Sequence, residues 1–191
     1  MVPSNGFCLT AISNNGWRFA VGKIGFTDYI SRRTGMSVQW YLTLDSSWSS
    51  EAAREWLLHR PEAARVPGSA LIVLGGMVSV QVNALKPHET ASAMSIWSVR
   101  AATELYLQIR REVDVEAAYS ILYRVAIDAL NASSGDVVFA MLDVGIFARR
   151  AGQLAVNVEK FQFDPDLLKQ LPQPYEVTDP QTELLVEKSR A

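Results

Sequence analysis

The chain has 191 residues, of which 49% are hydrophobic and 20% charged, with 11 glycines and 8 prolines. This composition is typical of a globular protein and excludes collagen-like, coiled-coil and disordered classes. The formal net charge of −2 argues against a dedicated nucleic-acid-binding protein, because such proteins usually carry a clear basic excess.

One cysteine, Cys8, leaves no internal disulfide, and the sequence shows neither a signal peptide nor an apolar stretch of the roughly 18 residues that would span a membrane. We therefore expect a cytoplasmic protein with no cofactor, no metal, no membrane contact and no nucleic-acid partner.

Charge is unevenly distributed along the chain. Residues 1–113 carry 11 basic and 8 acidic side chains, a net charge of +3, whereas residues 114–191 carry 7 basic and 12 acidic ones, a net charge of −5. Modest charges of this kind usually reflect a solvated surface, but the acidic part is also compatible with a basic partner.

The first third of the chain is rich in β-strand signals. An Asn-Gly step at residues 15–16 separates two β-prone runs, which is a strong hairpin signal because both residues tolerate positive φ. The strands predicted for this part are 7–12, 17–21 and 38–44.

A helix is predicted over residues 51–59, because Ser49 or Ser50 can cap its first turn and Pro61 helps to end it. After it, Gly75-Gly76 separates two apolar runs and indicates a second hairpin. The alternation of valines with polar residues over 78–83 predicts one buried and one solvated face.

Two consecutive helices are predicted for the middle of the chain. Residues 90–113 are apolar nearly all round, which is typical of a largely buried helix. Residues 114–131 show a clean apolar stripe, with Asp114 as a suitable N-cap. A third hairpin follows over 137–157, with a turn at Ala151-Gly152, and then a short helix near 166–170.

These elements predict an α+β fold with a mainly antiparallel sheet built from hairpins and with the two helices at about 90–131 packed on one face. We expect a single α+β domain over residues 1–191; a sub-division near 86–90 is the alternative.

Groups suited to catalysis are sparse. His59 and His88 are the two histidines, and a pairing of either with Cys8 would supply a nucleophile and a base. Nothing in their spacing supports such a pair. Cys8 lies in an apolar strand pattern, and His59 is placed to interact with the C-terminal dipole of its helix. We therefore predict no catalytic residue.

Arg149 and Arg150 raise the question of a phosphate site, since arginine offers a planar fork of donors. The pair lies at the end of a hairpin arm, however, where charged side chains protect a sheet edge from aggregation. We favour this second interpretation.

The last third of the chain contains three stretches with a recognisable pattern. They are Gly-Asp-Val-Val-Phe at 135–139, Gly-Ile-Phe-Ala-Arg-Arg-Ala-Gly-Gln-Leu-Ala-Val-Asn at 145–157, and Leu-Pro-Gln-Pro-Tyr-Glu at 171–176. This part resembles the closing section of the Sit-type immunity proteins, which protect bacteria from kin-delivered polymorphic toxins. It departs from them at residues 142–145, where Leu-Asp-Val-Gly replaces a frequent Phe-Asn-Gly-Glu turn.

The resemblance implies a non-catalytic, cytoplasmic binding protein that neutralises a cognate protein toxin by occluding its active surface. Two other classes stay open. One is a structural or assembly subunit of a virion, secretion apparatus or scaffold, which would form homo-oligomers; the other is an enzyme of unassigned chemistry. A homodimer is compatible with the first two classes.

The partner-binding surface is expected in and beside the third hairpin, where carboxylates would meet a basic toxin. Phe161 and Phe163 would supply an apolar centre, unless both close the core. Asp164 and Asp166 have capping of the short helix as their alternative role. Trp48, in a serine-rich loop, is the tryptophan expected to be exposed. The predicted partner-binding residues are Asp143, Glu159, Asp164, Asp166 and Trp48.

Overall fold

A nine-stranded, mostly antiparallel sheet dominates the structure, which is a computed structural model of the chain. The structure describes residues 38–142, 144–161 and 164–180 and, before them, the backbone of 10–12 and 18–20. Contacts divide the chain into two units, Met1–Val38 and Gln39–Ala191. The single domain expected over 1–191 stays a prediction.

The first unit contains a two-stranded antiparallel sheet of β1 (Thr10–Ile12) and β2 (Arg18–Ala20). These strands lie inside the predicted runs 7–12 and 17–21. Cys8 and the Asn15-Gly16 step lie outside the described residues.

The second unit contains the large sheet and, among the described residues, three α-helices. Its strands are β3 (Gln39–Asp45), β4 (Ala63–Arg65), β5 (Ile72–Leu74), β6 (Val78–Ala84), β7 (Ala101–Ile109), β8 (Val137–Met141), β9 (Val144–Arg150), β10 (Gln153–Val156) and β11 (Glu176–Val177). Its helices are α1 (Ser50–Leu58), α2 (Pro87–Trp97) and α3 (Val115–Ala132), with 3-10 helices at Val158–Phe161 and Pro165–Gln170. The strand order is β11-β10-β9-β8-β3-β7-β6-β5-β4, in which β10 and β11 are the parallel pair. The predicted α+β class and mainly antiparallel sheet are confirmed.

Local signals explain the helix starts and hairpin turns. The Ser49 hydroxyl accepts a hydrogen bond from the Ala52 N–H (3.1 Å), and the Asp114 carboxylate accepts one from the Glu116 N–H (3.0 Å). Both predicted N-caps are therefore confirmed. At the turn after β9, Ala151 and Gly152 have φ values of 48° and 82°, the paired positive angles of a tight hairpin.

The helix predicted over 90–113 is wrong beyond Trp97. Ser98 adopts the left-handed conformation (φ 54°) and ends α2, and β7 follows as a central strand of the sheet. Leu105 of β7 lies opposite Leu42 of β3 on one side and Val82 of β6 on the other. Ala, Glu and Leu are good helix formers, but burial between two strand partners overrides that preference.

The core face of the sheet is an aromatic cluster under α3. Trp40 stacks on Phe139 (centroids 5.6 Å apart), and Tyr123 of α3 meets Phe139 edge to face (5.2 Å). Phe161 packs on Tyr123 at 5.1 Å, and the Tyr123 hydroxyl donates to the Lys160 carbonyl (2.9 Å). This cluster binds α3 and the first 3-10 helix to the sheet.

The opposite face carries a smaller apolar cluster around Trp97, the last residue of α2. Trp97 packs with Val138, Ala140 and Ala148. Because Val138 and Ala140 flank Phe139 along one strand, their side chains point away from α3. The expectation of two consecutive helices on one face is therefore wrong: β7 separates α2 from α3, and the two helices contact opposite faces.

Arg149 of β9 holds the C-terminal end of α3. Its guanidinium donates to the carbonyls of Leu130 (3.0 Å), Ser133 (2.7 Å) and Gly135 (2.8 Å from Nε). A cation at this end of a helix also complements the helix dipole. The favoured interpretation of Arg149 as protection of a sheet edge is wrong, because β9 lies between β8 and β10 and the Arg149 donors bind backbone carbonyls within the fold.

We expect Arg149→Ala to lower the free energy of unfolding by about 2–4 kcal/mol, because several carbonyls lose a charged donor. Arg149→Lys should lose less, since it keeps the charge but not the planar fork. Urea denaturation measures both variants. Arg65→Ala, at an exposed position of β4, is the control and should change stability by less than about 0.5 kcal/mol. A loss at position 149 no larger than that of the control would contradict this role.

Candidate functional site

Three of the four predicted acidic residues, Glu159, Asp164 and Asp166, follow β10, and their roles differ. Glu159 and Asp166 are exposed, whereas Asp164 is half-buried. The Asp164 carboxylate accepts a hydrogen bond from the Asp166 N–H (3.2 Å) and so caps the second 3-10 helix. Asp166 pairs with Lys169 (2.5 Å), and this hydrogen bond and charge lower the pKa of the Asp166 carboxyl. Asp143 lies outside the described residues.

We use the name acidic segment for residues 158–180. This segment has a net charge of −3. Its charged side chains are five carboxylates, Glu159, Asp164, Asp166, Glu176 and Asp179, and two lysines, Lys160 and Lys169. Because β10 and β11 run parallel, the chain leaves both strands at the same end of the pair, with Glu159 following one strand and Asp179 the other.

Of the two roles open to Phe161, an apolar centre of the binding surface or closure of the core, the structure shows the second. Phe161 is fully buried in the aromatic cluster under α3, so it closes the core, and Phe163 lies outside the described residues. Val177 of β11, which follows Glu176, is an exposed apolar side chain of the acidic segment, with 63% of its surface accessible.

Trp48 is half-buried and packs edge to face on Trp56 of α1, with centroids 5.2 Å apart. Trp56 in turn lies 5.3 Å from the guanidinium of Arg60, which pairs with Asp128 of α3 (2.8 Å). The Trp48 carbonyl accepts a hydrogen bond from the buried Thr103 hydroxyl (2.8 Å). Trp48 therefore anchors the loop before α1 and is less exposed than predicted.

A shallow groove lies between α1 and β4. Its lining residues are Glu51, Arg54, Glu55, Leu58, His59, Ala63 and Arg65. Arg54 donates to the Ala70 carbonyl (2.9 Å), and the His59 ring nitrogen lies 2.8 Å from the Glu55 carbonyl at the end of α1. The interaction of His59 with its helix end is as predicted, and the groove mixes charges of both signs.

Sequence reasoning missed a polar surface on the central strands β3, β7 and β6. It consists of the side chains that alternate with the core residues of these strands, and we call it the polar sheet face. Its members are Gln39, Tyr41, Ser79, Gln81, Asn83, Glu104, Tyr106 and Gln108, and Thr43 lies among them but is buried. The alternation over 78–83 predicted the part of this face that lies on β6. The part on β7 was not predicted, because residues 101–109 were assigned to a helix.

Two tyrosines lie at the middle of this face. Tyr41 and Tyr106 are directly opposite each other in the pairing of β3 and β7, with ring centroids 5.6 Å apart and planes at 65°. The Tyr41 hydroxyl donates to the Gln39 side-chain oxygen (2.8 Å). Burial and the neighbouring Tyr106 and Glu104 raise the pKa of Tyr41, so the Tyr41 hydroxyl stays protonated at physiological pH.

Glu104 lies beside the two tyrosines, two residues before Tyr106 on the same face of β7. It is half-buried, and within the described part of the chain no side chain forms a hydrogen bond or ion pair with its carboxylate. Burial raises the pKa of Glu104, and Glu89 of α2 raises it further. Thr43 and Asn83 flank it across the sheet.

Two other findings bear on the site. In the described ranges, no three His, Cys, Asp or Glu side chains are grouped so that they could hold a metal ion. None of the helices described above is long and apolar enough to cross a lipid bilayer.

In comparisons with known proteins, no protein family, no curated protein and no solved structure matches this chain. The resemblance to Sit-type immunity proteins that the sequence analysis predicts has no support from these comparisons and stays a prediction.

We expect Glu104→Gln to raise the free energy of unfolding at pH 7 by about 0.5–1 kcal/mol. The gain is modest because solvent still screens the charge of a half-buried carboxylate. A raised pKa means that the folded state binds the proton more tightly than the unfolded state does. The ionised carboxylate of Glu104 therefore costs stability above its folded pKa, and that cost fades as the pH falls toward the ordinary value for glutamate.

Thermal or urea unfolding of the wild type and Glu104→Gln between pH 7 and pH 4 tests this expectation. The two curves should converge toward the acidic end. Glu116→Gln, at an exposed position of α3, is the control and should show no such pH-dependent gain. A destabilised Glu104→Gln protein at pH 7 would show that the carboxylate stabilises the fold.

Proposed function

We propose that this chain is a non-catalytic bacterial immunity protein that binds and neutralises a cognate protein toxin in the cytoplasm. The observation that carries the proposal is the acidic segment within the region that resembles Sit-type immunity proteins. Its excess of three negative charges suits a basic partner, such as a toxin that acts on nucleic acids.

The residues behind the resemblance support this segment structurally. Arg149 holds the end of α3, and a Cβ at Gly135 would overlap the Asp45 carboxylate, so glycine is needed there. Asp136 accepts a hydrogen bond from the Ala151 N–H (2.8 Å), and Arg150 donates to the Pro180 carbonyl (2.7 Å) at the end of the segment. These roles are structural, which leaves partner recognition to exposed neighbours.

The exposed neighbours fit a docking surface of the kind proposed. Glu159 and Glu176 are exposed carboxylates, and Val177 is an exposed apolar side chain beside one of them. In such a surface the carboxylates accelerate encounter with a basic protein, while desolvated apolar contacts slow dissociation. A toxin held in this way would be inhibited by occlusion, with no reaction at the immunity protein.

The double variant Glu159→Gln/Glu176→Gln should associate with the proposed cognate toxin about 3–10-fold more slowly at low salt, because steering by complementary charge is lost. The difference should shrink as salt approaches about 0.5 M, where charges are screened within a few ångströms. Stopped-flow fluorescence measures the rates. Glu112→Gln/Glu116→Gln removes two exposed charges before and at the start of α3 and is the matched control.

Co-expression tests the function itself. The toxin domain should arrest the growth of a bacterial host when it is expressed by itself. It should not do so when this chain is co-expressed. A host that stays arrested, with no complex on a sizing column, would refute the proposal. Large homo-oligomers of the chain in the same experiment would instead favour an assembly subunit.

A further inference from the structure

The polar sheet face contains a negative group in an unusual place. Glu104 lies on the central strand β7, is half-buried, and has the carboxylate of Glu89 near it. Glu89 is itself fixed, because its carboxylate accepts the Lys86 N–H (2.7 Å) at the start of α2. Negative potential is therefore concentrated at this point without a cation from the described part of the chain to offset it.

We infer that Glu104, Tyr41 and Tyr106 form a recognition point for an arginine side chain of the partner protein. The inference rests on the proposed function and deepens it, since it names the chemical group of the toxin that the sheet would receive. It also places a second contact surface on the chain, apart from the acidic segment.

The tyrosine pair supplies the aromatic part of such a site. The two rings are 5.6 Å apart and inclined at 65°, so the pair is edge to face and fixes the relative orientation of the two rings on the sheet. A guanidinium is attracted to the electron-rich face of a tyrosine, and the attraction grows where water is partly excluded. Tyrosine and arginine are also the side chains that most often dominate protein interfaces.

The surrounding polar groups favour arginine over lysine. A guanidinium is planar, carries five donors and is weakly hydrated, so it can stack on a ring while it bonds to a carboxylate and to amide oxygens. Gln81 and Asn83 lie on the neighbouring strand, where the Gln81 amide donates to the Asn83 side-chain oxygen (3.0 Å). An ammonium would use fewer of these acceptors and would lose more hydration.

A half-buried carboxylate also gains more from a cation than an exposed one does. Burial has already removed part of its hydration, which a charge-assisted hydrogen bond replaces. The site is formed in the absence of a partner, because its three side chains belong to hydrogen-bonded strands of the sheet. Little ordering is therefore required on binding.

The test uses N-acetyl-arginine amide as the probe and the full chain as the protein, observed by two-dimensional amide NMR. Titration should shift the resonances of β3, β6 and β7 around these three residues. Glu104→Gln and Tyr106→Leu should each weaken the titration at least about fivefold, the loss typical of a cation–π contact or a partly buried ion pair. N-acetyl-lysine amide should bind more weakly than the arginine probe.

Glu116→Gln is the matched control and should titrate as the wild type does. Glu104→Gln keeps the shape of the side chain and removes a destabilising charge, so a folded protein is expected. Shifts confined to the acidic segment, or equal titrations of the wild type and Glu104→Gln, would overturn the inference.

The toxin assay is read separately. If the chain protects its host and Glu104→Gln protects equally well, with no arginine binding by NMR, this inference fails and the proposed function stands. If the arginine probe binds as expected and the toxin is not bound, the proposed function fails while the recognition point stands.

Discussion

Arg149 of β9 connects the end of α3 to the turn before β8. Its guanidinium binds carbonyls at the end of α3 and in the following turn, and it lies close enough to Asp45 and Asp136 to interact with both charges. The Asp45 carboxylate accepts hydrogen bonds from the Asp136 N–H (3.1 Å) and from Ser47. Burial raises the pKa of Asp45, but these hydrogen bonds and the charge of Arg149 outweigh burial and hold that pKa below its usual value. Helix α3, β3 and the β8–β9 hairpin meet at this network.

The sheet separates two environments that suit different tasks. One face is buried, because α3 packs over the aromatic cluster around Phe139. The other face carries the apolar cluster around Trp97 and polar side chains over β3, β7 and β6. A rigid, hydrogen-bonded sheet with one buried face holds the side chains of its other face at fixed spacing, which favours recognition without rearrangement.

The candidate site was predictable only in part. Asp164 and Asp166 were expected either to bind a partner or to cap a helix. The capping interaction could be predicted from the sequence, because it joins residues that are two positions apart. The grouping of Glu104 with Tyr41 was not predictable, because these residues are more than sixty positions apart and meet only through strand pairing. The resemblance to immunity proteins points to the C-terminal third and is silent about this face.

The sequence by itself determined the features that depend on neighbouring residues. The caps at Ser49 and Asp114 follow from short hydrogen bonds to the next turn, and the Ala151-Gly152 turn follows from local backbone angles. Only the tertiary structure decided that 101–109 is a strand. Its alternation is compatible with β-structure, but its residues also favour a helix, and the choice depends on pairing Leu105 with Leu42 and Val82. Hydrogen bonds and burial supplied by distant strands outweigh a local preference that is small for each residue.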